Sequence, residues 1–323
     1  MGRYNIVKEL MKSWQPHQRL LCFLLLALAL TCAISPFLTL GADWFMTQWP
    51  ELMPKRIPFH RTFDRAFLVS GVVLFIIFRR SLFTTDLKTL FLLDPAQARR
   101  DFLTGLALAA GSIVLVLAAM IAREVFIPFF RLSRSLALSR IGSAAVAGVF
   151  AGFLEELFFR GILFTGLRAH RYDFRAYFLA NLFYAALHFV RAGDPYFVDR
   201  LDLGVGFRHL AYTFTPFLDP LSLLPGLIGL VLVGSVLSFA LERTGNLFLA
   251  IGLHAGWVFG LKTLRVFGDF KRDQLGWLFG SSDPKLVSGI ITWTAIILAG
   301  TAVFYLTQSR AVRSSDRPRV EAA

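Results

Sequence analysis

The sequence is poor in cysteine. Two occur among 323 residues, Cys22 and Cys32, and both fall in one apolar run near the N-terminus. On a single helix, ten positions separate them by about 15 Å along the axis, which is beyond the reach of a disulfide. Their spacing also matches no cysteine metal site. We therefore expect no disulfide framework and no cysteine-ligated metal.

Charged side chains are scarce as well. They make up 17% of the chain, whereas 56% of the residues are hydrophobic. Soluble globular domains average about 25% charged and about 45–50% apolar residues. The imbalance argues against an ordinary soluble protein and predicts a membrane-embedded chain.

The charge that is present is mostly positive, with a formal net charge of +13. Lysine and arginine cluster between the apolar runs, as in "FRRSLFTTDLK", where they can meet lipid headgroups. The interleaving of basic and aromatic residues that binds single-stranded nucleic acid is missing, and so is the phosphate-binding pattern G-x-x-x-x-G-K-[ST]. We expect membrane lipids as partners and no nucleic acid.

Long apolar runs dominate what remains. A spanning helix needs about 20 mostly apolar residues, and the sequence offers about eight such segments. They predict an all-α fold, a polytopic integral membrane helix bundle, with spans near 20–40, 66–83, 102–122, 143–167, 175–190, 223–241, 246–262 and 287–307. The first run is longer than the apolar region of a signal peptide, so we expect it to be retained. Basic residues divide almost evenly between the two sides and favour a cytoplasmic N-terminus only slightly.

The segments between these runs suggest a division of the chain. Residues 1–140 hold N-terminal spans and interfacial segments, 141–262 a catalytic core, 263–308 a loop and the last span, and 309–323 a disordered tail. Within this division we expect a flat interfacial helix over 123–140. We expect the longest connection over 191–222.

One apolar segment, "AGVFAGFLEELFFRGILF" at residues 147–164, carries two adjacent carboxylates and an arginine. Each charge at a bilayer centre costs about 2.5–3.5 kcal/mol on insertion scales, so it needs a partner or a function. Glu156 and Arg160 stand four residues apart, in the order that favours an ion pair. Glu155 is turned about 100° away from them. We expect Glu155 to act as a proton acceptor.

A stripe of small residues precedes these charges on the same helix. Ala144, Gly148 and Gly152 recur every four positions, and Gly152 lies three before Glu155. Such a stripe lets another helix approach closely. We therefore expect Glu155 to face the bundle and not the lipid.

Two histidines lie in similar apolar surroundings. "NLFYAALHF" places His188 near the end of the fifth run, and "RTGNLFLAIGLHAGW" places His254 in the middle of the seventh. A carboxylate and two imidazoles can polarise a water for attack on a carbonyl. They can also bind zinc, although H-E-x-x-H is absent. A water activated by Glu155 without metal is the favoured hypothesis, and zinc held by Glu155, His188 and His254 is the alternative.

These motifs resemble the CAAX protease and bacteriocin-processing family of intramembrane endopeptidases, which includes the type II CAAX-prenyl proteases. "EELFFR" fits its EExxxR signature, and "YAALH" takes the place of its FxxxH motif, with Tyr184 where Phe is usual. "RTGNLFLAIGLHAGW" resembles its last motif helix. The motif-bearing part covers about residues 144–260.

The resemblance implies a role for each matching residue. Glu155 would activate water, His188 would help to hold or activate it, and His254 would contribute to the site and stabilise the oxyanion. Glu156 and Arg160 would fix the helix and the catalytic carboxylate.

One position departs from the family. Val258 stands where the family often has Asn, so an oxyanion donor is missing, and one such donor is worth about 2.7–4 kcal/mol in other hydrolases. Asn181 and Asn246 are the possible substitutes, although Asn246 is also expected to cap its helix.

The leading hypothesis is an intramembrane endopeptidase that cleaves a membrane-associated peptide or protein, prenylated at a CAAX-type end or carrying a leader peptide. A catalytically weak scaffold or immunity member of the same fold is an alternative, which Val258 favours. An ion-coupled transporter is another, because intramembrane Glu, Arg and His also mark ion paths. The expected location is a bacterial cell membrane.

The other polar residues are expected to be structural or solvated. We expect His209 in a loop or interface, with a small prospect of a site role. The remaining histidines are expected to be solvated at membrane edges, and three aspartates to form a hydrated loop face: His17, His60, His170, Asp194, Asp199 and Asp202.

Overall fold

The computed structural model describes residues 14, 16–52, 55–82, 90–91, 94–130, 132–168, 172–190, 196–271, 275–280 and 286–308. Helices α1 to α10 run over Pro16–Gln48, Phe59–Leu82, Pro95–Ala122, Arg134–Glu156, Phe174–Leu187, Val205–Thr213, Pro220–Thr244, Phe248–Thr263, Gly276–Phe279 and Ile290–Leu306. A short strand β1, Phe126–Pro128, pairs antiparallel with β2, Gly268–Phe270. The predicted tail, 309–323, lies outside the described residues.

The prediction of an all-α membrane bundle is confirmed. Among the described residues, four helices are long and apolar enough to cross a membrane: Leu21–Gln48, Pro95–Ala122, Arg134–Leu167 and Pro220–Thr244. Ile290–Leu306 is a shorter apolar helix. These five correspond to the runs near 20–40, 102–122, 143–167, 223–241 and 287–307.

The other three predicted spans are helical but are not among those four. The run near 66–83 lies within α2, whose first turns carry charged residues. The runs near 175–190 and 246–262 fall on α5 and α8, which have 14 and 16 residues. Both are shorter than the about 20 residues that a perpendicular span needs. The number of eight spans stays a prediction.

Two predicted connections have a different structure. Residues 123–140 do not form one interfacial helix, because Glu124 takes a positive φ of 55° after α3, β1 follows, and α4 begins at Arg134. Of the predicted connection 191–222, the described part contains α6 and a 3₁₀ turn at Thr215–Leu218.

Contacts divide the chain into two units. Unit 1 comprises Met1–Thr84 and Leu187–Leu223, and unit 2 comprises Thr85–Ala186 and Leu224–Ala323. This is a division by packing, while the motif-based domain boundaries at 140, 262 and 308 stay predictions.

In unit 1, α1 packs against α2 and α6. Pro36 inside α1 has no N–H for the carbonyl of Cys32, and the hydroxyl of Ser35 donates to that carbonyl at 3.5 Å. Gly206 of α6 packs on the same carbonyl so closely that a Cβ would collide with it. Pro36 therefore leaves the carbonyl of Cys32 without a backbone hydrogen bond within α1, at the point where α6 packs against α1.

His209 is a buried residue of α6, so the prediction of a loop position was wrong, and its ring lies where α6 meets α2. It is 2% exposed, and its ring lies among Phe59, Phe63 and Tyr196 at centroid distances of 4.8–5.8 Å. Nδ1 lies 3.2 Å from the Tyr196 hydroxyl, and Nε2 has no hydrogen-bond partner among the described residues. Desolvation by this burial lowers the pKa of His209.

His60 was expected to be solvated, but it is half-buried at the start of α2, where its Nδ1 is enclosed. The side chain of His17 and all of His170 lie outside the described residues.

The predicted aspartate face is partly confirmed. The side chain of Asp199 is 83% exposed and pairs with Arg56 at 2.7 Å. Asp202 is 40% exposed and pairs with Arg208, whose hydrogen bond lowers the pKa of the aspartate. Asp194 lies outside the described residues. The two described carboxylates are solvated but engaged in ion pairs within unit 1.

In unit 2, α8 lies between α3 and α4. Gly252 of α8 meets the Phe102 carbonyl of α3 so closely that a Cβ would collide with it. On the other side, a Cβ on Gly148 would lie 2.7 Å from the Ala255 carbonyl oxygen, and one on Gly152 would lie 3.0 Å from that of Ile251. The predicted small-residue stripe of α4 is confirmed, and the helix that it admits is the one that carries His254.

A further buried carboxylate in unit 2 has a structural explanation. Glu242, near the end of α7, accepts hydrogen bonds from the Tyr177 hydroxyl at 2.8 Å and from the Tyr172 backbone at 3.0 Å. Arg168 pairs with it at 3.3 Å. Glu242 thereby holds the chain that follows α4 against α7.

Candidate active site

The site begins where α4 changes its winding. After Glu156 the chain continues as a π-helix over Leu157–Phe164 and ends in one α-helical turn, Thr165–Leu167. The Thr165 hydroxyl donates to the Arg160 carbonyl, five residues back, at 2.6 Å. π-Helical turns are rare and are frequent at functional sites. The sequence predicts only a continuous helix here and carries no signal of the wider turn.

The predicted ion pair is confirmed and has a third member. Oε1 of Glu156 accepts hydrogen bonds from Nη1 of Arg160 at 2.9 Å and from Nδ1 of His254 at 2.7 Å. The side chains of Glu156 and Arg160 are 0% and 1% exposed. Nη2 of Arg160 donates to the Gly234 carbonyl of α7 at 3.2 Å. One enclosed carboxylate oxygen thus joins α4, the π-helix and α8.

This contact determines the hydrogen-bonding roles of His254. An ionised carboxylate can only accept, so Nδ1 of His254 carries the proton that is donated to Glu156. In the neutral imidazole, Nε2 is then an acceptor. His254 is 4% exposed.

Glu155 faces that second nitrogen. Its Oε2 lies 3.7 Å from Nε2 of His254, and its side chain is 34% exposed, in contrast to the fully enclosed Glu156. The separation is longer than a direct hydrogen bond and suits a water that touches both groups. Two neighbouring glutamates therefore have different environments: Glu156 is sealed within an ion pair, whereas the side chain of Glu155 is partly exposed although its Oε2 is enclosed.

Tyr184 of α5 belongs to this cluster, which the sequence did not indicate beyond its replacement of Phe in a motif. It is 2% exposed. The guanidinium carbon of Arg160 lies 4.4 Å from its ring centroid, a distance that suits a cation–π contact. Its ring also stands edge-on to His254, with centroids 6.3 Å apart. Tyr184 therefore packs against both partners of Glu156.

The remaining predicted residues are distributed differently. His188 is half-buried in the turn directly after α5 and belongs to unit 1, and its role in the site stays a prediction. Val258 is half-buried on α8, one turn after His254.

The two asparagines that were considered as substitutes for an oxyanion donor make other contacts. Asn246 donates from Nδ2 to Asp101 at 3.0 Å and to the Thr244 carbonyl at 3.2 Å, and its Oδ1 accepts from the Phe248 backbone at 2.9 Å. Asn246 thus bonds to the first backbone N–H of α8, but it precedes the N-cap residue, which is Leu247. Asn181 is 1% exposed and bonds to hydroxyls of α7 at 3.1 and 3.4 Å.

A metal was the alternative interpretation of the site. Among the described residues, no group of three His, Cys, Asp or Glu side chains has the arrangement of a metal site. Glu155 and His254 bring two donor atoms together, while Nδ1 of the same histidine is bound to Glu156. The donor set shown does not fit a catalytic zinc with three protein ligands, and we derive no step through a metal.

Comparison with known proteins gives one family. The model of the family described as type II CAAX prenyl endopeptidase Rce1-like matches residues 137–260. This segment runs from α4 into α8 and includes every predicted site residue. No curated protein and no solved structure matches the chain.

Proposed function

We propose that the chain hydrolyses a peptide bond of a membrane-associated substrate by water held between Glu155 and His254, as an intramembrane endopeptidase of the CAAX protease family, whose type II CAAX prenyl endopeptidase Rce1-like model matches residues 137–260. The observation that carries this proposal is the 3.7 Å separation of Oε2 and Nε2. The buried ion pair behind it holds one of the two groups in place.

In the proposed reaction, the water donates one hydrogen towards Glu155 and the other towards Nε2 of His254. Its free lone pair attacks the peptide carbonyl carbon, while Glu155 takes the proton. When the tetrahedral intermediate collapses, the C–N bond breaks and Glu155 returns that proton to the leaving amine. General base catalysis of this kind contributes typically about 10²–10⁴-fold to the rate.

The hydrogen bond to Glu156 bears on the role of His254. With the proton on Nδ1, a neutral imidazole has no N–H at Nε2 to offer an oxyanion. We therefore assign His254 to holding the water and not, in its neutral form, to stabilising the oxyanion that the resemblance implies. His188 is proposed to assist at the water.

The second candidate is a catalytically weak scaffold of the same fold. Val258 offers no donor, and both amide hydrogens of Asn246 are used within the fold. Prenylated CAAX-type proteins and leader peptides are the proposed substrates, and a bacterial cell membrane is the proposed location.

The test compares cleaved protein termini in membranes that contain the parent, Glu155→Gln or Glu124→Gln. Glu124 is the control because its carboxylate is 83% exposed and pairs only with Lys271 among the described residues. We expect termini that depend on the parent to persist with Glu124→Gln and to fall by about 10²-fold or more with Glu155→Gln. Equal cleavage by Glu155→Gln would show that the assignment is wrong, and no parent-dependent termini would favour the scaffold.

A further inference from the structure

Unit 2 contains an apolar cavity that the proposed reaction does not use. Its volume is about 450 Å³, within the range of small-ligand sites. Helices α3, α4 and α8 form its walls, with Phe102, Val149, Phe150, Phe153, Phe248 and Ile251. Apolar walls of this kind exclude water and accept hydrocarbon.

The cavity lies among helices that are suited to cross the bilayer. Two of its walls belong to the candidate spans Pro95–Ala122 and Arg134–Leu167. Phe150 is 64% exposed and Val149 is 47% exposed, so the cavity is open along α4. The hydrocarbon nearest to such an opening is a lipid acyl chain.

One charged residue, Arg99 in the second turn of α3, is among the described residues that line the cavity. The lining is almost wholly apolar, so Arg99 contributes its aliphatic part to it, and the residue is exposed. A guanidinium presents donors whose geometry matches a phosphate. The N-terminal end of a helix adds a partial positive charge nearby. An apolar chamber with an arginine at its rim matches an amphiphile with a hydrocarbon tail and an anionic head.

We propose that this cavity binds one acyl chain of an anionic phospholipid, whose phosphate pairs with Arg99. The phosphate of a phospholipid is joined to its acyl chains through one glycerol, whereas a prenylated CAAX-type peptide carries its carboxylate three residues beyond the prenylated cysteine, so an arginine beside the apolar chamber favours the phospholipid. The bound chain contacts Phe153 and Ile251, which lie three residues before Glu156 and His254. The lipid therefore packs against both helices that carry the candidate site.

Binding is measured on the delipidated full chain in detergent by native mass spectrometry, with phosphatidylglycerol and phosphatidylcholine of identical acyl chains. Arg99→Ala is compared with Arg100→Ala, which removes the same charge from the adjacent position outside the cavity lining. Val149→Trp, which fills the cavity, is compared with Val146→Trp at another exposed position of α4. The readout is lipid binding alone, so it is independent of proteolysis.

We expect the parent, Arg100→Ala and Val146→Trp to bind phosphatidylglycerol about fivefold more tightly than phosphatidylcholine. Arg99→Ala should lose that preference, and Val149→Trp should lose binding of both lipids. Equal behaviour of Arg99→Ala and Arg100→Ala would overturn the proposal. So would a farnesylated peptide that displaces phosphatidylglycerol and binds the parent and Arg99→Ala equally, because the chamber would then belong to the substrate chain.

Discussion

Replacing Glu156 by Gln tests the buried hydrogen-bonded cluster most directly. The amide keeps an oxygen that can accept from Arg160 and His254, but it loses the charge that neutralises the enclosed guanidinium. Both partners of the pair are at most 1% exposed. Removing one partner of such a pair costs about 3–5 kcal/mol, because the other charge stays buried.

The amide also places a new donor where it finds no acceptor. Oε2 of Glu156 is buried without a hydrogen-bond partner among the described residues, and in the Glu156→Gln variant an NH₂ group replaces one of the two carboxylate oxygens. The loss of about 3 kcal/mol alone corresponds to a fall in Tm of about 6 °C or more at about 2–4 °C per kcal/mol. Thermal unfolding in detergent, followed by tryptophan fluorescence, measures it.

A double variant separates stability from chemistry. In Glu156→Gln/Arg160→Met the uncompensated charge is gone, and exchanging a buried ion pair for uncharged groups is often neutral. We expect the Tm of the double variant to return towards that of the parent. Cleavage should not return, because His254 no longer donates Nδ1–H to an ionised acceptor. Additive losses of Tm in the double variant would refute the buried pair, and restored cleavage would refute the role of Glu156 in holding His254.

Three further predictions follow from contacts described above. Gly252→Ala places a methyl group against a carbonyl of α3 and should lower both Tm and activity, whereas Gly142→Ala, with open space around it, should change neither. Tyr184→Ala removes the ring that packs against Arg160 and His254 and should lower both Tm and kcat, whereas Tyr177→Phe, which removes a hydroxyl that donates to Glu242, should lower Tm alone. Because burial lowers the pKa of His209, the unfolded chain binds its proton first, so the stability of unit 1 should fall as pH drops below about 6.5. Urea unfolding at about pH 7.5 and about pH 5.5, on either side of that value, measures that fall, which His209→Gln should reduce.

Much of the fold could be predicted because lipid-facing helices have a simple sequence requirement. Apolar runs of about 20 residues marked α1, α3, α4 and α7. The same criterion cannot separate a spanning helix from a short apolar helix enclosed by protein, as α8 shows. It also overlooked α6, a helix of only nine residues whose buried side mixes Val205 and Gly206 with His209 and Thr213.

The site could be predicted in part for a similar reason. Charges are so costly in an apolar helix that Glu156 and Arg160 had to pair, and their spacing of four allowed it. The contact of His254 with Glu156 depends on how α4 packs against α8, and no local sequence pattern predicts that packing. The π-helix and the packing of Tyr184 depend on the same tertiary arrangement.

The enclosure of α8 has a consequence for biogenesis. Residues 249–257 are all buried, so this stretch is enclosed by the neighbouring helices apart from the cavity that Ile251 lines. The position of such a segment depends on close packing against α3 and α4 at their glycine contacts, and not on its own partitioning into lipid. The imidazole at 254 therefore reaches its carboxylates only once α8 is enclosed between α3 and α4, and a partly inserted chain lacks the assembled pair.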